Sequence, residues 1–162
     1  MMITETYSQT AKRIERSASF IVNANIEKAF PLFGPIREKE WCAGWEPEVI
    51  YSIHPEVEQH MIFKTTASDP NEKEHLWVVT QYNQREHLIE YTVSTPLRIC
   101  FITVVCAGQN NATLVTVTYC YTGLTEEGAD RNEAALNKMF AHNLNDWAEA
   151  INFYLTTGKR LE

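Results

Sequence analysis

Residues 125–158 read TEEGADRNEAALNKMFAHNLNDWAEAINFYLTTG. Within them Leu136, Phe140, Leu144, Trp147, Ile151, Tyr154 and Leu155 recur at three- and four-residue steps. That spacing places side chains on one face of an α-helix. The opposite face carries Asn137, Lys138, Asn145, Asp146, Glu149 and Asn152, which suit water or a polar partner. Thr125 can cap the first turn by accepting a bond from an unpaired amide. Glu126 and Glu127 then sit where the helix dipole favours negative charge. Gly158 closes the segment as the residue that can turn left-handed. The pattern predicts a single helix over residues 125–157. That is long for an ordinary domain, so it needs a long surface to lie on. Asn143 interrupts the stripe. It can be a polar residue at the stripe edge or a residue lining a cavity.

Composition bounds what the rest can be. The chain has 162 residues, of which 44% are hydrophobic and 22% charged. That predicts one domain over residues 12–162, with a core of real size, behind a flexible polar tail over residues 1–11. The formal net charge is −7, which argues against nucleic-acid binding and against docking on anionic membranes. No apolar run approaches a membrane span, and residues 1–16 lack the apolar core of a signal peptide. A cytoplasmic monomer or weak homodimer, without stable membrane association, is expected. Cys42, Cys100, Cys106 and Cys120 form no CxxC and no ligand spacing with the five scattered histidines. They read as reduced, small hydrophobic residues. No metal site and no cofactor are expected, and no phosphate-binding loop or metalloprotease motif is present.

Ahead of the terminal helix the chain alternates. Residues 14–23 read as a first strand, and Asn25 can cap a short helix over 26–33. Pro31 breaks or kinks that helix. Gly34-Pro35 separates it from a second short helix over 36–41. From Val49 a strand series begins: 49–54, 59–66, 75–82, 87–95, 98–107 and 112–122. The connections are short, so consecutive strands form an antiparallel meander.

Register follows from parity. With an even loop between the last two strands, Val115, Val117, Tyr119 and Tyr121 lie beside Cys100, Ile102 and Val104. A similar step across Pro96 adds Ile89, Tyr91 and Val93. Thr116, Thr118, Cys120 and Thr122 face the other way, toward solvent. Phe101 and Val105 share that outer face, which an alternating pattern does not explain. Glu90 and Arg16 also fall on it.

The order is therefore one strand, two short helices, six strands and one long helix. An antiparallel sheet with one apolar face needs a cover, and the terminal helix alone has the length. The fold class is α+β, a curved antiparallel sheet wrapped around the C-terminal helix. Space between them is the expected ligand cavity. Its candidate lining is Trp41, Trp45, Trp77, Tyr91, Val117, Tyr119, Tyr121, Phe140, Asn143 and Trp147. Trp41 and Trp45 stand in the densest aromatic loop of the chain, where they plug one end of the core, meet a ligand, or do both. The face on which Trp77 lies is left open.

This order of elements resembles the START-like helix-grip superfamily (SRPBCC), which includes polyketide cyclases and dehydrases, lipid-transfer domains and pollen-allergen-like proteins. The resemblance rests on Ala29-Phe30-Pro31-Leu32-Phe33, Arg37-Glu38-x-x-Trp41 and Gly44-Trp45-Glu46-Pro47. It continues through Leu76-Trp77-Val78-Val79-Thr80-x-Tyr82, Ile89-x-Tyr91 and Thr113-x-Val115-x-Val117-x-Tyr119-x-Tyr121. It closes on Leu124-Thr125-x-x-Gly128 and residues 147–155. It implies a cavity for a small, largely apolar molecule, and it carries over no catalytic residue, because the superfamily shares none. Three functions follow. The first is binding or carriage of a small hydrophobic or aromatic molecule. The second is a cyclase- or dehydrase-like enzyme using the same cavity, with Glu46, Arg98, His142 and Asn143 as candidates that each also have a surface or capping role. The third is an interaction module of the chaperone-cofactor kind, marked by an exposed apolar patch. The sequence does not decide whether the chain is an enzyme.

Overall fold

The structure, a computed structural model, describes residues 12–162; the tail expected over residues 1–11 lies outside them. The first strand, β1 (Arg13–Val22), leads into a short helix α1 (Ile26–Ala29). Asn25 caps α1, its side-chain oxygen accepting from the Lys28 amide at 3.0 Å. Pro31 ends the α-helical pattern, as its missing N–H requires. The chain tightens into a 3-10 turn at Phe30–Phe33, and a second follows at Arg37–Glu40. Six strands come next: β2 (Glu48–Tyr51), β3 (Ile62–Thr66), β4 (Glu74–Asn83), β5 (Leu88–Ser94), β6 (Arg98–Gln109) and β7 (Ala112–Gly123). Helices α2 (Glu126–Met139) and α3 (Asn145–Thr157) close the chain.

All seven strands join one antiparallel sheet in the order β1-β7-β6-β5-β4-β3-β2. β6 and β7 meet through a two-residue turn, Asn110-Asn111, with Asn110 left-handed at φ 56°. The even turn gives the register expected from parity. Cys100 faces Tyr121, Ile102 faces Tyr119 and Val104 faces Val117. On the other side Tyr91 faces Ile102 and Val93 faces Cys100. The odd residues of β7 are buried and its even residues only partly so. Phe101 does stand on the outer face, where the Arg13 guanidinium covers its ring at 5.9 Å from the centroid. That cation–π contact accounts for an aromatic residue there.

Between β2 and β3 the chain leaves the ladder over residues 52–61, earlier than expected. Side chains take over the backbone bonding there. Glu58 Oε1 accepts from the Ile53 amide at 2.6 Å, and His54 Nδ1 accepts from the amides of Glu56 and Val57. Such local bonds compete with strand pairing.

The expected single helix over residues 125–157 is two helices. Thr125 caps α2, accepting from the Gly128 amide at 3.0 Å, and Gly158 ends α3 at φ 69°. Between them Asn143 and Leu144 are both left-handed, at φ 51° and 60°. Asn tolerates that region; Leu pays about 1–2 kcal/mol in steric strain. Leu144 is nevertheless 1% exposed, and burying its side chain gives back about 1.5–3 kcal/mol. The break lets the two halves lie on different strands: α2 packs on β7 and α3 on β1. At its start α2 presses so closely on the β5–β6 turn that a Cβ on Gly128 would lie 1.9 Å from the Leu97 carbonyl oxygen. With both helices over the β1–β7 end, the opposite half of the concave face is left to aromatic side chains. Among the described residues no helix is long and apolar enough to cross a membrane.

Candidate functional site

Two chambers lie on the concave face. The inner one, about 100 Å³, is lined by Glu38, Trp41, Cys42, Trp45, Trp77, Tyr91, Ile102, Val104, Tyr119 and Trp147. The outer one, about 310 Å³, lies under α2 between Ala135, Met139 and the ends of β3, β4 and β6, with His75, Arg98, Cys100 and Tyr121 in its walls. Trp77 and Ile102 belong to both. A larger depression of about 790 Å³ is on the outside of the sheet, among Lys64, Glu72, Lys73 and Glu74. It is open and charged, and lacks the enclosed apolar walls of a small-molecule site.

Strand alternation and the aromatic loop build the inner chamber. Trp77 on β4 and Tyr91 on β5 point inward beside Phe63 of β3; Trp77 stacks on Phe63 at 5.5 Å and 14°. Trp45 stands almost perpendicular to Trp77, at 85° and 5.2 Å. Trp147 of α3 meets Trp41 at 5.6 Å and Tyr119 at 6.4 Å. Several polar tips are fixed by the protein. Trp41 Nε1 donates to Leu32 O, Trp45 Nε1 to Pro35 O, Trp77 Nε1 to Thr65 Oγ1 and Tyr91 Oη to Phe33 O. Trp41 and Trp45 thus both plug the end of the core and wall the chamber.

Two polar groups differ. The carboxyl of Glu38, which is half-buried, and the hydroxyl of Tyr119 both line the chamber and make no hydrogen bond to a described residue. Burial pushes the Glu38 carboxyl well above the usual carboxylate range. Burial also raises the phenols of Tyr91 and Tyr119 well above theirs, and the Cys42 thiol to about 11. Burial thus favours the neutral form of every ionisable group lining the chamber.

At the outer chamber Arg98 is committed elsewhere. Its guanidinium grips Glu72 with two bonds of 2.9 Å and reaches Asn132 at 3.3 Å. Glu72 is 2% exposed and also accepts from Thr95 Oγ1 at 2.7 Å. Burial works against its ionisation, but the bonds from Arg98 and Thr95 outweigh it and hold the carboxyl below its usual range. Arg131 binds the same carboxylate from α2, together with Asp69 and Glu127. This cluster fastens α2 to the β3–β4 loop. His75 beside it is held below the usual imidazole range, mainly by burial.

Of the ten candidate lining residues, Trp41, Trp45, Trp77, Tyr91, Tyr119 and Trp147 line the inner chamber, and Tyr121 lines the outer. Val117 is buried in the sheet floor behind them. Phe140 packs edge-on against Tyr119 at 5.5 Å without reaching either chamber. Asn143 is exposed in the helix break and lines neither. Glu46 and His142 are likewise exposed. Glu38 was not among the candidates: flanked by Arg37, Lys39 and Glu40, it reads as part of a solvated turn. Its signal was spacing, since Glu38, Trp41, Cys42 and Trp45 fall at i, i+3, i+4 and i+7.

No family model matches the chain, and no curated protein matches its sequence. Solved structures do match. Norcoclaurine synthase from Thalictrum flavum, in complex with dopamine and hydroxybenzaldehyde, superposes with a TM-score of 0.68 at 12% identity, covering 98% of each chain. The Zhui aromatase/cyclase from a Streptomyces species gives 0.66 at 10% identity over 93% of this chain and 99% of that one. Ara h 8.0201 gives 0.62 at 9% identity, over 90% and 99%. Over almost its whole described length, the chain has the START-like helix-grip fold.

Proposed function

We propose that the protein binds and carries one small molecule with a largely apolar or aromatic body in the chambers between sheet and helices. The observation that supports this reading is Glu38, an unpaired carboxyl facing a space walled by indoles and phenols. Packing alone gives no reason for it. A half-buried carboxyl without a partner, set among apolar walls, is poorly solvated, and a bound molecule that meets it would offset that cost. The outer chamber offers apolar walls of Val93, Ile102, Ala135 and Met139 for the rest of the molecule. Norcoclaurine synthase, of the same fold, holds small aromatic molecules, which agrees with this ligand class by analogy only.

Titration with a neutral dye that fluoresces in dry sites tests the reading. Saturable binding at one site, with quenching of tryptophan emission, is expected. Ile102→Phe places extra volume in the wall common to both chambers and should abolish binding while the protein stays folded. Unchanged binding by that variant would overturn the reading.

Two other functions each have one observation in their favour. For a cyclase- or dehydrase-like enzyme it is Glu38, whose neutral form burial favours, lining one chamber with the Tyr119 hydroxyl: a carboxyl and a second hydrogen-bonding group. For an interaction module it is the exposed apolar run on the sheet edge, Val49, Ile50, Tyr51 and Ile53.

A further inference from the structure

We propose that the inner chamber takes an organic ammonium group, with Glu38 as its counter-ion. This rests on the reading of the chambers as a ligand site and names the part of the ligand that enters deepest.

The walls come first. Trp41, Trp45, Trp77, Tyr91, Tyr119 and Trp147 surround the space. Three neighbouring pairs stand close to perpendicular, Trp45 to Trp77 at 85°, Trp77 to Tyr91 at 82° and Tyr119 to Trp147 at 81°, and Trp41 is tilted 56° to Trp147. Rings at right angles form a box, and aromatic faces turned toward a common centre attract a cation through their quadrupoles. A box that only held apolar groups could as well be aliphatic.

The charge comes second. The box contains one acid and no base. Arg37, next to Glu38 in sequence, is held by Glu40 at 2.9 Å and 3.0 Å. The titratable groups that act on the interior are Tyr91 from β5, Tyr119 from β7 and Cys42 from the aromatic loop, with Asp146 of α3 and Arg160 felt through Cys42. The phenols and the thiol are held neutral by burial. Glu38 is thus the acid of the box, its neutral form favoured by burial while the chamber is empty. Among the described residues no cation is placed against it. A ligand ammonium supplies that missing charge, and the Glu38 proton leaves to solvent as the ion pair forms. An anionic group would meet the negative faces of the rings, which disfavour it.

The size comes third. About 100 Å³ is the share of liquid volume of roughly three waters, at ~30 Å³ each. That suits a methylated ammonium head and leaves the body of the ligand in the outer chamber.

Choline and its neutral isostere, the alcohol with carbon in place of nitrogen, are the probes. Tryptophan quenching gives the affinities. Calorimetry in two buffers of different ionisation heat gives the protons exchanged. At about pH 8, choline should bind about tenfold more tightly than the isostere, and over a series of pH values its binding should release protons wherever Glu38 of the empty chamber is still protonated. Its affinity should fall as the pH is lowered. Glu38→Gln should erase both the preference and the proton release while still binding the isostere. Isostere binding equal to or tighter than choline, or choline binding without proton release at any pH of the series, overturns the inference and leaves the ligand-site reading intact. An apolar dye that binds where choline does not has the same meaning. Failure of choline, isostere and dye alike brings down both. If Glu38→Gln does not fold, the affinity ratio and proton count of the unaltered protein decide.

Discussion

The hydroxyl of Tyr91 donates to the carbonyl oxygen of Phe33 at 2.6 Å, whereas that of Tyr119, on the same chamber, makes no hydrogen bond to a described residue. The two phenols line one space but serve different ends. Tyr91 ties β5 to the first 3-10 turn, and its removal leaves a buried carbonyl unsatisfied. Tyr91→Phe should lower unfolding free energy by about 1–3 kcal/mol. Tyr119→Phe should leave stability almost unchanged but weaken a ligand that meets its oxygen by about 0.5–1.5 kcal/mol. Urea unfolding and ligand titration on both variants test this. A stability loss confined to Tyr119→Phe would contradict it.

Glu38 predicts a pH dependence of stability. Its folded pKa is raised above that of the unfolded chain, chiefly by burial. The stability of the protonated form is fully present below the unfolded value, about 4.3. It is lost as pH rises from there through the folded value, because only the unfolded state ionises freely. Glu38→Gln keeps the shape without the titration. Its advantage over the unaltered protein should be absent in acid, grow across that window and then level off. Thermal midpoints at a series of pH values check this. A constant difference would mean that Glu38 ionises normally in the folded protein.

Much of the architecture was legible for local reasons. The even turn at Asn110-Asn111 and the alternation of β5, β6 and β7 fix the face of every residue, so Tyr91, Tyr119 and Trp147 come together as parity and helical period require. Glu38 was hidden because its environment is tertiary. Its own turn is charged, and burial comes from β4, β5 and β7 brought around it. The inward face of Trp77 became readable only with the β4–β5 pairing, which contains an irregularity between Val79 and Gln81. The helix break was hidden because Leu136, Phe140, Leu144 and Trp147 keep a helical period straight through it.

The Glu72–Arg98 pair predicts asymmetric mutant effects. Arg98→Met leaves a carboxylate that is 2% exposed without its main partner, and should cost about 3–5 kcal/mol. Combining it with Glu72→Gln removes the uncompensated charge, so the double variant should recover part of that loss. Since the folded pKa of Glu72 is depressed, its contribution is present above the unfolded pKa. It is lost as pH falls through the folded one. Denaturant unfolding of both variants at neutral and acid pH measures each effect. A double variant less stable than Arg98→Met would sink the argument.

The break between α2 and α3 makes the sharpest test of how the terminal segment is built. Asn143 is exposed and left-handed at φ 51°, so its contribution is conformational. Asn143→Gly should change stability little, because glycine enters that region freely. Asn143→Val should cost about 1–2 kcal/mol, the strain of a side chain with Cβ there, more for its branching. Leu144 obeys the opposite logic. Leu144→Gly relieves about 1–2 kcal/mol of strain but empties a buried site, a loss of about 2–5 kcal/mol for a large side chain. The net effect should therefore be destabilising despite the relaxed backbone. If Asn143→Gly instead costs about 1 kcal/mol, as glycine does inside a helix, while Asn143→Val is nearly harmless, residues 125–157 form the continuous helix that the apolar stripe suggests. Hydrogen exchange supplies an independent reading. The amides of residues 141–144 should exchange faster than those in the middle of α2 or α3, because only the flanking helices carry regular i→i−4 bonds.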